Sequence, residues 1–289
     1  MATAWDVLKE ASKYDGSPTA HRNVVDNLKG HGHKVSMSDQ WCTETVMAIL
    51  YDANAIGAVG GYQRTSGNLK KQAEKNGTWA KGTDDILPGD IVVFGSGKPN
   101  HTELCVGDGV TVAGNHKEIS PDTCDRRNWK GRNVLGRVRP KYAKMPAMDD
   151  LQLTIAACDV LMGVYGKGDV RKRMLGVYGK ENAKSIQSTV DDILKSHDRT
   201  IFAMAVYIIC GRAGNRTYRK RRLGIFFDEA QNRVNYIISL RTHSTEEAAT
   251  DVIQGKYGTN AVRRALLDFN GYIPSKVQAL VNEHVKERA

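Results

Sequence analysis

The sequence predicts an α+β domain followed by an all-α domain of three helical repeats. One contrast and one self-similarity predict it. Up to about residue 145, short apolar runs such as Ile91-Val92-Val93-Phe94 and Val110-Thr111-Val112 alternate with helical stretches. Beyond about 149, helical periodicity fills nearly everything. Within that second part, Asp159-Val160-Leu161-Met162-Gly163-Val164-Tyr165-Gly166 aligns with Tyr207-Ile208-Ile209-Cys210-Gly211-Arg212-Ala213-Gly214 and with Asp251-Val252-Ile253-Gln254-Gly255-Lys256-Tyr257-Gly258.

The elements follow in order. Residues 1–11 read as an amphipathic helix without the basic-then-apolar layout of a secretory signal, so the chain is expected to start in a cytoplasm. His31-Gly32-His33 reads as a surface loop. Val46, Ile49, Leu50 and Ala53 share one face of a helix that begins near Cys42. Leu87-Pro88-Gly89-Asp90 is a turn delivering the strand Ile91–Phe94, and a Gly/Pro loop leads to a second strand from His101. Gly107-Asp108-Gly109 then turns the chain into Val110-Thr111-Val112-Ala113-Gly114-Asn115-His116, forming a hairpin. The boundary falls at 145–150, giving a domain over 1–145 and helical copies over 149–198, 199–244 and 245–289. Each copy reads as a helix ending at a Gly C-cap, a tight Gly-x-x-Gly turn, a second helix with a basic pair (Arg171-Lys172, Arg219-Lys220, Arg263-Arg264), and a third helix. Units this small bury little apolar area alone, so they pack with neighbours or hang as beads on short links.

Composition narrows the chemistry. No apolar run approaches the roughly 20 residues of a membrane span, which argues against membrane insertion. Five cysteines, odd in number and without Cys-x-x-Cys, indicate neither a disulfide framework nor a structural zinc site. The net charge of +10, shared by both halves, favours a polyanionic partner. The densest basic run, Arg216-Thr217-Tyr218-Arg219-Lys220-Arg221-Arg222, falls where the other copies also carry basic pairs. It therefore reads as a patch for an anionic wall polymer and not for nucleic acid.

The chemistry-bearing residues lie in the first half. Cys42 stands at a helix start, where exposed N–H groups stabilise a thiolate. A histidine opening a strand, His101, can face it across a cleft, take the thiol proton and later protonate a leaving amine. A third group should orient the imidazole, and register decides among the choices. A three-residue hairpin loop puts Asn115 opposite His101, and a two-residue loop puts His116 there. Glu103 shares the face of His101 one two-residue step along the strand. Asn115, a neutral acceptor, is favoured; Glu103 and His116 are the alternatives.

Trp41-Cys42 at a helix start, Pro88-Gly89-Asp90-Ile91-Val92-Val93-Phe94, His101 opening a strand, Gly114-Asn115 and Gly136-Arg137-Val138-Arg139-Pro140 together resemble a CHAP or NlpC-type cysteine amidohydrolase/peptidase domain. The resemblance covers roughly 1–142. It implies a papain-like α+β fold and cleavage of an amide bond in the peptide part of peptidoglycan. Cys42 would be nucleophile, His101 base, and Gln40 with Cys42 the candidates for an oxyanion hole. One departure matters: Ala113 stands where many such domains carry Glu, so only the Asn position of that motif carries over.

The three copies are similar to short helical cell-wall-binding repeats of phage lysins, in the Gly-x-Tyr-Gly turn, the downstream Arg and Leu, and the closing Val-Gln-x-x-Val-Asn. That similarity implies glycan binding through Tyr165 and Arg171 in copy one and Tyr257 and Arg263 in copy three. Copy two departs, with Tyr207 for the acid and Ala213 for the aromatic. The whole resembles a bacteriophage endolysin held in the host bacterial cytoplasm until release to the cell wall, working as amidase or endopeptidase. No metal is expected. A calcium site through Asp6, Asp15 and Asp26, as some CHAP domains have, is the weaker expectation, since no dense Asp-x-Asp loop is present. Two other readings compete: a non-catalytic polyanion-binding protein, and a host autolysin or secreted effector with the same chemistry.

Overall fold

The computed structural model describes residues 1–115, 122–214 and 216–287. It is a mixed α+β protein whose chain divides into two compact units, Met1–Pro146 with Gly163–Lys180, and Ala147–Met162 with Glu181–Ala289. No helix among the described residues is long and apolar enough to cross a membrane.

In the first unit, helices α1 (Ala4–Tyr14), α2 (Ala20–Gly30), α3 (Cys42–Asp52) and α4 (Ser66–Lys75) precede one antiparallel sheet. Its strands are β1 (Trp79–Lys81), β2 (Ile91–Phe94), β3 (His101–Gly107), β4 (Val110–Ala113), β5 (Asp125–Asn128) and β6 (Val134–Val138), in the order β1-β6-β2-β3-β4-β5. Thr3 caps α1 in a reciprocal box with Asp6, satisfying the first-turn amides. The one-faced helix expected at Cys42 is instead buried on every side from Cys42 to Leu50. The reason is that α1, α2 and β3 all pack on it. Burying Trp41 just ahead of it contributes about 3 kcal/mol.

The hairpin combines both loop lengths considered from sequence. Gly107 pairs with Val110 across a two-residue turn, and a register shift between Cys105 and Gly107 then restores the pairing of Leu104 with Val112. Three steps further, that ladder puts Asn115 across from His101, although regular pairing ends at Ala113 and Asn115 turns left-handed, with φ 64°. Gly114 is the one residue type that fits between: a Cβ there would lie 2.0 Å from the Trp41 ring.

The chain leaves this unit at Pro146 and returns at Gly163, so the Gly163–Gly166 turn and α6 (Gly168–Leu175) pack within it. The Val164 carbonyl accepts from Asp108 N at 2.8 Å, on the β3–β4 turn. A Cβ on Gly107 would meet that same carbonyl at 2.2 Å. Trp5 and Tyr178 meet edge to face, with ring centroids 5.8 Å apart.

The second unit is all helix: α5 (Asp150–Leu161), α7 (Lys180–Ile193), α8 (His197–Ile209), α9 (Arg216–Leu223), α10 (Phe227–Ser239), α11 (Thr245–Ile253), α12 (Asn260–Phe269) and α13 (Pro274–Lys286). Phe202, Val206 and Ile237 share one core with Val252, Tyr257, Leu266 and Val277. The helices of 199–244 and 245–289 are therefore packed together and are not beads.

Candidate active site

The N-terminus of α3 is fixed by the wedge described above. Trp41 is 1% exposed, lies against Gly114 and stacks on His21 with centroids 4.4 Å apart. Cys42 follows as the first helical residue, and the opening amides of α3 have no intrahelical acceptor. Burial alone would raise the thiol. The hydrogen bond and charge of His101, with smaller help from the Thr43 hydroxyl and the Thr102 backbone, outweigh it and hold Cys42 below an ordinary cysteine. Thr43, Ser66 and Thr102 form a buried hydroxyl cluster beside the sulfur, with Thr102 Oγ1 donating to Ser66 Oγ at 2.8 Å.

His101 opens β3 and is bonded to the thiol on one side and to Glu103 on the other, through Nε2 at 2.8 Å from Oε1. Burial opposes its protonation, but Cys42 and Glu103 together lift it to about 9. A depressed thiol beside a raised imidazole favours the thiolate–imidazolium form of the pair. Glu103 is fully buried. Its oxygens accept from His101, from the Thr111 hydroxyl, and from both terminal nitrogens of Arg132 at 2.9 and 2.8 Å. Against the upward push of burial, His101 and Arg132 draw the carboxyl down to about 2.

The residue on the ring nitrogen is thus Glu103, which corrects the preference for Asn115. Residue i+2 on a strand shares the face of residue i, and at a strand end the imidazole leans back over it. Asn115 lies across the ladder and lines the same cleft as His101, with Phe94, Ser96, Asn100 and Arg132 in a volume of about 630 Å³. His116 lies outside the described residues. Gln40 is exposed, two residues ahead of Cys42, and Cys42 N–H is among the uncommitted amides of α3. Arg132, which sequence reasoning missed, comes from a loop 29 residues beyond Glu103 and had no motif to mark it.

The tail residues correct a second expectation. Tyr165 and Tyr257 are 1% and 0% exposed, so neither ring can stack on a sugar. Tyr165 bonds Tyr178 through the hydroxyls at 2.8 Å, and the Tyr257 hydroxyl accepts from Asn270 at 3.1 Å. Arg171, Arg219 and Arg263 each donate Nε to the carbonyl of the turn's second glycine, at 3.2, 3.2 and 3.3 Å. Arg171 and Arg263 are half-buried, tying their turns. The Tyr207 departure also has a physical reason: its hydroxyl donates to Asp159 at 2.6 Å, while Arg212 donates to the other oxygen at 2.7 Å. Asp251, the corresponding acid, is instead held by His243 and Lys256.

Among the described residues, no group of three or more His, Cys, Asp or Glu side chains is arranged to hold a metal ion. Asp6 is committed to the α1 cap, and Asp15 to Arg126 at 2.6 Å. His33 bonds the Tyr51 hydroxyl and stacks on Tyr62.

One buried acid stands apart. Glu44, in the first turn of α3, is 1% exposed, and neither carboxyl oxygen has a hydrogen-bond partner among the described residues. Burial, then the charge of Asp39, push it up to about 7 against the pull of Arg64. A carboxyl whose folded value is raised binds its proton more tightly when folded. Wild-type stability therefore falls as pH rises from the ordinary 4.5 to about 7. Glu44→Gln is expected to raise the melting temperature, with a gain larger at pH 8 than at pH 5. A gain independent of pH would contradict the assignment.

No protein-family model matches this chain, and no curated protein matches it significantly.

Proposed function

We propose that the protein is a peptidoglycan hydrolase, an endolysin-type cysteine amidase or endopeptidase with a papain-like catalytic domain. The observation that carries this reading is the Cys42–His101–Glu103 chain, with a depressed thiol at a helix start, a raised imidazole and a buried anionic orienter. In this reading the thiolate adds to a stem-peptide carbonyl and the imidazolium donates its proton to the departing amine. Water, deprotonated by His101, then releases the acyl group as the acid and restores the thiolate and imidazolium. The first-turn amides of α3, Cys42 N–H among them, face the oxyanion. The net charge of +10 suits a wall rich in anionic groups, and the helical segments after 147 supply binding to it. The protein would wait in the host cytoplasm until released.

Purified peptidoglycans of several stem and cross-bridge types, digested with the protein and analysed by mass spectrometry, test this. New amine ends at one amide type are expected, and they identify the enzyme as amidase or endopeptidase. Intact walls from every type would overturn the reading.

A further inference from the structure

We propose that Arg132 is a positioning residue of this site, its guanidinium fixing the Glu103 carboxylate against His101 and, through the imidazole, acting on Cys42. The inference rests on the cysteine-hydrolase reading. Three independent features hold Arg132 in place. Its two terminal nitrogens fork onto both Glu103 oxygens at 2.9 and 2.8 Å. Its guanidinium carbon sits 4.0 Å from the centre of the Phe94 ring, and Phe94 is the β2 residue paired with His101. Its turn is tied by backbone bonds, Arg132 N to Trp129 O at 3.1 Å and Gly95 N to Asn133 O at 2.9 Å.

The physical need is clear from burial. A fully buried carboxylate without a cation is costly, and a neutral one would no longer hold an imidazolium. Lysine carries the charge but cannot fork, nor does it lie flat on a ring. Among the described residues, the ionisable groups facing Glu103 and Cys42 are His101 on β3, Arg132 in its loop, Arg127 on β5 lining the same cleft, and Cys124, whose thiol burial keeps neutral. With Arg132 removed, two states are open to Glu103. Ionised, it adds an uncompensated negative charge beside the thiolate; protonated, it deprives the imidazolium of its partner. Both move thiolate formation to higher pH.

The test follows alkylation of Cys42 by iodoacetamide against pH, with the Cys42 peptide quantified by mass spectrometry because Cys210 is exposed and would be alkylated as well. Arg132→Met is expected to move the midpoint up by about one pH unit or more and to lower turnover by on the order of tenfold at nearly unchanged KM. Arg132→Lys should restore most of the midpoint but only part of the turnover. A folded Arg132→Met with the wild-type midpoint would overturn the proposal. If Arg132→Met does not fold, wild-type turnover in Arg132→Lys overturns it equally. Alkylation involves no cell wall, so it decides the role of Arg132 separately. A failure to release wall fragments would instead count against the peptidoglycan reading.

Discussion

Cys42→Ala is expected to abolish release of amine ends from cell walls, by on the order of 10⁴-fold or more, while leaving the fold intact. In the proposed mechanism the sulfur forms the covalent bond, so the loss is large. Neither His101 nor the α3 amides can replace a missing nucleophile. Circular dichroism and melting should remain near wild type, since the change removes one small atom from a site whose walls are set by Trp41, Gly114 and β3. The wild-type pH profile should climb as the thiolate pair forms below the ordinary thiol range and fall as His101 loses its proton near 9. Full activity in a folded Cys42→Ala protein would remove the cysteine-hydrolase reading.

Glu103→Gln is expected to cut turnover on the order of a hundredfold, against a few-fold for Asn115→Ala. The glutamine amide can still meet the ring but carries no charge to sustain the imidazolium, and its NH₂ faces Arg132 unfavourably. Asn115 lines the cleft without holding the ring nitrogen. Initial rates and melting temperatures of both variants measure this. A larger loss from Asn115→Ala would return the orienting role to the neighbouring strand.

Much of this was legible in the sequence. The strands β2, β3 and β4 announced themselves as apolar runs between Gly and Pro signals, and Cys42 and His101 as reactive residue types at element starts. β5 was not legible, because Asp125-Arg126-Arg127-Asn128 carries the polarity of a loop and becomes a strand only through pairing with β4. The choice of Asn115 over Glu103 failed for a related reason. A glutamate beside a histidine traps its proton unless a cation shares the charge, and that cation, Arg132, arrives from a loop 29 residues away. Tyr165 and Tyr257 misled because a Gly-x-Tyr-Gly turn has the composition of an exposed loop. Its rings turn inward, and the neighbouring arginines tie the turn from outside.

The return of the chain to its first unit at Gly163 bears on how the protein matures. When the sheet has been synthesised, the β3–β4 turn still lacks the Val164 carbonyl that closes it, and Trp5 still lacks Tyr178. Those contacts join the beginning of the unit to its end, so they raise its contact order and place its completion late in folding. A nascent chain that has just extended past Pro146 holds His101 at the head of a hairpin whose turn is not yet closed. The first unit is completed only once α5 and the turn that follows it have been made.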